Sequence, residues 1–485
     1  MASKGKKINM NYVWAIVAVI VVIVIIVAIA EFYHPSTYVP PSVPVTTPPV
    51  TTPPVTTPSS VVGYAFEFPN YSISVPVTIT VSESFAAGGE TKAFDADLAA
   101  FEKAYPNINV IVENSSFASS NIPTYAKAGD APDVVYDSGD SASAWFTGGI
   151  LLNLSKYINV VPIYSNQPSQ LYSDQFLPVA VRDFEYNGLY GVPINYNYIV
   201  VFYNKKFFPN GFPNTTASLI PTLQSIKKTY GITPVAYSTP SEYGYRFAAW
   251  FTGFGGQVFN SQGIPQLNST AMANALTFWN NMTNVWGLNV PGLTSPGQEQ
   301  SLFEANKTAM IFDGPWDLST YVSALGSNLG AAPLPMVSST GDYASPFVGS
   351  NGWVITSPQA SGASQTQIEA ALIFVNFMTN NQSEFTFFND AYDLPSRMTA
   401  YDAAMNELNS GKISPSYVDP VIEGILAQAK TGQPMPNLPQ MAFYWNGFHE
   451  YASEYFTNHS ISASAAAAGM ENYMITNMKS SGEMP

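Results

Sequence analysis

GQPMPNLPQMAFYW, residues 432–445, holds three prolines (Pro434, Pro436 and Pro439) within six residues. Proline fixes φ and removes an amide donor, so this stretch excludes a helix interior and a central strand. It predicts a pinned, irregular approach that delivers Met441-Ala-Phe-Tyr-Trp445 to one place and opens a helix running to about Phe456. Phe443 and Tyr444 read as the core face of that helix. Trp445 is a candidate platform for a flat ligand face.

Working outward, the globular part is expected to start near Val75. Residues 75–81 (VPVTITV) alternate and read as a first strand, and residues 90–105 carry Phe94, Leu98, Phe101 and Ala104 at helical spacing. Residues 107–112 (NINVIV) read as a second strand, and 128–136 (AGDAPDVVY) as a turn into a buried strand. Residues 148–154 (GGILLNL) follow a short helix. This β-α-β-α-β order predicts an open α/β sheet.

The N-terminal end is of another kind. Lys4, Lys6 and Lys7 form a basic leader (1–11) before residues 12–30, nineteen residues without a charge. That length spans a bilayer, and the lysines place the N-terminus inside and the body outside. A retained transmembrane anchor is the favoured reading. A signal peptide is the alternative, with Ala28-Ile-Ala30 similar to a cleavage site. The leader also resembles signals of archaeal surface proteins that are cut on the N-terminal side of the apolar run. Residues 31–62 repeat VTTPP and predict an extended Pro/Thr-rich stalk.

Composition narrows the function classes. Only 11% of residues are charged and the formal net charge is −15, which argues against a nucleic-acid partner. A surface this poor in charge, and acidic where charged, is expected to suit an acidic medium. There is no cysteine, so neither disulfides nor a lipid-bearing N-terminal cysteine is available. Three histidines and no cysteine leave little material for metal or triad chemistry, and no cofactor is expected. Asn-x-Ser/Thr sites, such as those at Asn70, Asn214 and Asn458, permit glycosylation.

PMPNLPQM followed by a Trp resembles the C-terminal segment of the maltose/maltodextrin-binding proteins of ABC importers. FEKAYPNINVIVE, AGDAPDVV, GILLNL, GLYGVPI, FYNKKFF, FEANKTAMIFDGPW and LPSR occur in the order found in extracellular solute-binding proteins of family 1. The resemblance covers roughly residues 75–478. It implies a periplasmic-binding-protein-like fold, two α/β lobes joined by a hinge with a ligand cleft between them. Lobe 1 would comprise 75–195 and 350–393, and lobe 2 would comprise 200–345 and 398–478. The crossings would fall near 193–197, 347–351 and 394–397.

The same resemblance suggests the site. Sugar recognition needs aromatic faces for the rings and amides or carboxylates for the hydroxyls. Trp316 and Trp445 stand where the family has stacking tryptophans, Tyr245 near a third aromatic, and Asp140 where it has a hydroxyl-binding Asp. For Asp140 a helix-capping role competes on nearly equal terms, and for Tyr245, one of 29 tyrosines, core packing is the favoured reading. The family's Trp, Arg, carboxylate and second Arg are replaced here by Asp137, Ser141, Asn197 and His449, so the site is rebuilt in detail. Glu83 and Ser84 at the end of the first strand, and Glu242, are further candidates.

The leading expectation is therefore a membrane-tethered receptor at the cell surface that captures a sugar or oligosaccharide for an ABC permease. Its body is expected to be monomeric and without enzymatic activity. The chain has no GxxxxGK[ST] and cannot hydrolyse ATP for transport. An extracellular glycoside hydrolase is the rival reading, with Asp140 and Glu242 as conceivable carboxylates. A pilin-like surface protein is the third, and a peptide or polyol is the alternative ligand.

Overall fold

The computed structural model describes residues 61–85, 88–113, 121–164, 175–238 and 244–484. The basic leader, the apolar segment 12–30, nearly all of the stalk and Glu242 lie outside the described residues. Among the described residues, no helix is long and apolar enough to cross a membrane.

Val77–Ser82 alternates because one face of the strand is core: Ile79 and Val81 have no exposed surface. It runs parallel to Ile108–Glu113, with Val77 opposite Ile108 and Ser82 opposite Glu113. The helix Gly89–Ala104 connects them, burying Phe94 and Phe101 and ending before Pro106. On its other side Val77–Ser82 pairs in parallel with Val134–Ser138, nearly all of it buried. The turn before that strand starts at Gly129, whose φ of 74° ends the helix Ile122–Ala128 in the left-handed region that glycine tolerates.

The long strand Phe347–Ile355 continues this sheet, antiparallel both to Val134–Ser138 and to Gly191–Asn197. Leu394–Pro395 closes the edge against Asn195 and Tyr196. Helix Gln365–Met378 covers the sheet and opens on a capping box formed by Ser364 and Gln367.

A second sheet has the strand order Leu329–Ala332, Val200–Asn204, Met310–Asp313, Val235–Ala236. Its strands divide their side chains by parity, as a pleated sheet requires. Val201, Met310 and Phe312 enter one core with Trp250, Trp279 and Phe247. Val200, Phe202 and Ile311 enter another with Tyr321, Leu408 and Ile425. A sheet buried on both faces explains why its strands read as continuous apolar runs.

The two sheets meet where the chain passes between them. Gly191–Asn197 of the first is followed, after two residues, by Val200–Asn204 of the second. Leu394–Pro395 of the first leads into the helix Met398–Asn409, whose Ala404 and Leu408 belong to a core of the second. Asn195 pairs with both Asn351 and Pro395, so three crossing segments lie side by side.

The 432–445 stretch sits at this junction. Gln433–Pro434 pairs with Phe347 and Val348, and the helix Met441–Ser453 follows, extended by a wider turn over Glu454–Asn458. Tyr444 is fully buried and donates its hydroxyl to the Gly244 carbonyl at 3.1 Å.

The body begins earlier than Val75. Val61–Glu67 forms a strand antiparallel to Asn159–Tyr164 and Gln175–Phe176, with a bulge between Val61 and Gly63. Phe66 and Phe176 pack with ring centroids 4.6 Å apart. The bulge at Gly63 breaks the alternation that would have marked this strand.

Candidate functional site

Between the sheets lie two adjoining cavities that share Trp316 and Asn351. The smaller, about 270 Å3, is lined by Asp140, Asn197, Tyr245 and Met435 as well as the shared pair. The larger, about 510 Å3, is lined by Ser84, Glu90, Gln300, Glu304, Asp317 and Thr320 beyond that pair.

Trp316 follows the strand Met310–Asp313 on a 3-10 turn, Pro315–Asp317. Its ring folds back over Gly314, where a Cβ atom would lie 2.0 Å from the indole. The strand end is held by Arg246, whose guanidinium bonds Glu299 and, at 2.5 Å, Asp313 Oδ1. The Gly314 amide donates to the same oxygen at 2.9 Å.

Arg246 lies on the helix Gly244–Gly253, next to Tyr245. The Tyr245 hydroxyl donates to the Phe347 carbonyl at 3.1 Å and lies 3.5 Å from Asn197 Oδ1. One ion-pair cluster thus fixes two cleft aromatics, and Tyr245 reaches the crossing strands. Burial raises the Tyr245 pKa well above its ordinary value, and the nearby Asp140 and Asp183 carboxyls add to it.

Asp140 is in the first turn of the helix Gly139–Thr147 and also lines the smaller cavity. Burial raises its pKa, while the Ser138 hydroxyl and the amides of Asp140 and Ser141 pull it down. The N-cap position is Ser138, so Asp140 lines the cavity from within the first turn and is not itself the cap. Behind it Asp183, pushed up to about 8 by burial, accepts from the Ser350 amide at 2.7 Å. Gly139 is needed at this contact, since a Cβ there would fall 2.4 Å from Asp183 Cβ.

Of the residues expected from sequence, the structure brings Trp316, Asp140, Asn197 and Tyr245 to one cavity and Ser84 to the next. Trp445 lines neither; it packs on Gly244 and Tyr444, with its ring 6.4 Å from that of Phe347. His449 is exposed and lines neither cavity. Glu83 turns its carboxylate back to the Phe85 amide at 2.8 Å.

Glu90, Asn351, Asp317, Gln300, Glu304 and Met435 were missed. Glu90 carried a signal, because it opens the helix after the first strand, at the carboxyl end where open α/β sheets bind ligands. Asn351 ends the crossing expected near 347–351, but nothing in its own residue type marked it as cavity lining.

Among the described residues no Lys, Arg or His lines either cavity, whereas Glu90, Asp140, Glu304 and Asp317 do. Such walls offer acceptors for hydroxyl groups and repel anions.

Residues 98–411 match the family of bacterial extracellular solute-binding proteins. The chain belongs to that family. It is a solute-binding protein and not an enzyme. The maltodextrin-binding protein MdxE of Bacillus subtilis (strain 168) is 26% identical over 369 residues, which are 72% of this chain and 78% of that protein. The galactooligosaccharide-binding protein of the same organism is 24% identical, with the same coverage of each chain. The maltose/maltodextrin-binding domain MalE from Bdellovibrio bacteriovorus, bound to maltotriose, superposes with a TM-score of 0.70 at 22% identity. It covers 83% of this chain and 100% of its own, so the solute-binding protein shares that α/β fold.

Proposed function

We propose that this solute-binding protein captures a neutral oligosaccharide, of the maltodextrin type, between its lobes and delivers it to the permease of an ABC importer. The observation that carries the reading is the pair of adjoining cavities hinged on Trp316. Trp316 and Tyr245 stand among amides, hydroxyls and carboxyls, with no cation among the described lining residues. Relatives named for maltodextrin and galactooligosaccharide support the sugar class.

In this reading Trp316 stacks on a ring, and Asp140, Asn197, Tyr245 and Ser84 meet hydroxyls. Contacts from both lobes favour the closed form, and the permease reads that form. Trp445 backs the helix that carries Tyr245. The lobes divide as 75–195 with 350–393 and 200–345 with 398–478, the segment from residue 61 joining the first. Residues 12–30 hold the body at the outer face of the membrane, and the body works as a monomer.

The test is thermal unfolding of the full chain in detergent with maltotriose, galactooligosaccharides, peptides and polyols. A solute bound only by the folded state stabilises it by about 2.7 kcal/mol at a hundredfold excess over Kd. Stabilisation by maltotriose that Trp316→Ala weakens at least tenfold, about 1.4 kcal/mol, is the expected result. A response to peptides alone would discard the sugar and keep the receptor.

A further inference from the structure

A third hollow shares no lining residue with the two cleft cavities. It is a groove of about 650 Å3 between the helices Thr216–Tyr230 and Thr270–Asn280. Asn274, Thr277, Phe278 and Asn281 recur three and four residues apart, so one face of the second helix and its C-cap Asn281 look into it. Phe278 is the centre of an aromatic floor, its ring centroid 5.9 Å from those of both Phe254 and Trp286. Phe254 and Trp286 are half-buried, and among the described residues no charged side chain lines the groove.

Asn281 also opens the sequence Asn281-Met282-Thr283, an acceptor pattern for N-linked glycans. The chain leaves the helix in the wider turn Asn281–Val285, after which the Trp286 amide donates to the Asn281 carbonyl at 2.7 Å. Asn281 and Trp286 therefore stand side by side in the lining. Asn153 and Asn306, which open the same pattern, are instead used inside the fold. Asn153 donates to the Tyr190 hydroxyl at 3.2 Å and accepts from the Ser155 amide at 3.0 Å, and Asn306 accepts from Asn204 Nδ2.

We propose that Asn281 carries an N-linked glycan and that its first rings lie in this groove, over Trp286 and Phe254. The new bond joins Asn281 Nδ2 to the anomeric carbon of a glycan linked to a lipid phosphate. The bond from that carbon to the phosphate oxygen breaks, the phosphate keeps the electron pair, and one amide proton leaves. Transfer takes place before folding. The Thr283 hydroxyl, which the transferring enzyme must recognise, accepts from Asn289 Nδ2 at 3.1 Å in the folded chain.

The chemistry of the groove fits that occupant. Pyranose rings present C–H faces that pack on aromatic rings, and their hydroxyls meet neutral amides and hydroxyls, here those of Asn274 and Ser339. The opposite wall, with Ile220, Pro221 and Val337, is apolar. An exposed apolar patch of this kind marks an interaction site, and a glycan fixed at its edge covers it without a second protein. The covalent tether also holds the sugar at a high effective concentration over the floor, so weak stacking is enough to keep it there.

The test is mass spectrometry of the full chain purified from the cells that make it, digested so that Asn268 and Asn281 fall on separate peptides. The Asn281 peptide is expected to carry added carbohydrate mass, which Asn281→Gln loses. Hydroxyl-radical labelling then reads the groove. Trp286 should oxidise severalfold faster in Asn281→Gln than in the glycosylated wild type, with Trp316 of the cleft unchanged. The glycosylated wild type should also unfold at a higher temperature than Asn281→Gln, a difference that Trp286→Ala removes while keeping the glycan. An unmodified Asn281, with or without a glycan at Asn214, overturns the proposal. So does a glycan at Asn281 that leaves Trp286 labelled as fast as in Asn281→Gln.

Discussion

Arg246 and Asp313 form a buried ion pair, Nη2 to Oδ1 at 2.5 Å, at the root of the turn that presents Trp316. Glu299 takes the other side of the guanidinium, and Tyr321 donates to the second Asp313 oxygen. Burial holds the Glu299 carboxyl above its ordinary range even though Arg246 draws it down. One cation therefore balances two buried carboxyls, and its removal leaves both uncompensated.

Arg246→Met is expected to cost about 3–5 kcal/mol of stability, the range for breaking a buried pair by removing one partner. Adding Glu299→Gln and Asp313→Asn should recover a measurable part of that loss in denaturant titrations. A triple variant no more stable than the single one would show that the cluster acts by shape and not by charge.

Gly314 is the conformational counterpart of that cluster. Since a Cβ would meet the Trp316 ring at 2.0 Å, Gly314→Ala must rotate the indole out of the shared wall of the two cavities. Solute affinity should fall at least tenfold, about 1.4 kcal/mol, with a shift in tryptophan emission and little change in unfolding temperature. Unaltered affinity would remove Trp316 from the list of solute contacts.

Much of this arrangement could be read from the sequence, for identifiable reasons. Val77–Ser82 and the helix Gly89–Ala104 are local patterns set by one buried face, and Trp316 sits in a motif tied to its turn. Val61–Glu67 escaped because Gly63 and its bulge interrupt the alternation and its partners lie about a hundred residues away.

The acid-medium expectation gains a mechanism with a definite sign. Burial raises Asp97 to about 6, and Asp183 and Glu384 to about 8. Each folded-state value stands above the unfolded one near 4, so the folded chain keeps protons that the unfolded chain has released. Stability should therefore rise as pH falls from about 8 towards 4, by up to about 1.4 kcal/mol per unit for each carboxyl titrating. Denaturant titrations at pH 4.5, 6 and 8 check this; a maximum at pH 8, or unfolding near pH 3, would reject it.

The N-terminal strand makes a different demand on the body. Phe66 is only 7% exposed and packs tilted against Phe176, whose ring centre lies 4.2 Å from the Arg397 guanidinium carbon. Phe66→Ala should cost about 3–5 kcal/mol, as for other buried aromatics. A body cut to start at Val75 should lose at least as much, and equal stability of the two forms would make the strand an ornament of the stalk.

Trp445 separates packing from recognition. It lines neither cavity, and Gly244 lies so close that a Cβ there would meet the indole at 2.9 Å. That contact backs the first turn of the helix bearing Tyr245 and Arg246, so Trp445 acts on the cleft through the helix. Trp445→Ala is expected to cost roughly 1.5–3 kcal/mol of stability, the value of burying a large apolar side chain. Affinity for maltotriose should change less than in Trp316→Ala, and Trp445→Phe should restore most of the stability. If instead the two alanine variants lose affinity equally while Trp445→Ala unfolds at the wild-type temperature, the indole must reach the solute in the closed form. The lobes would then have to move by enough to bring the helix Met441–Ser453 over the cavity.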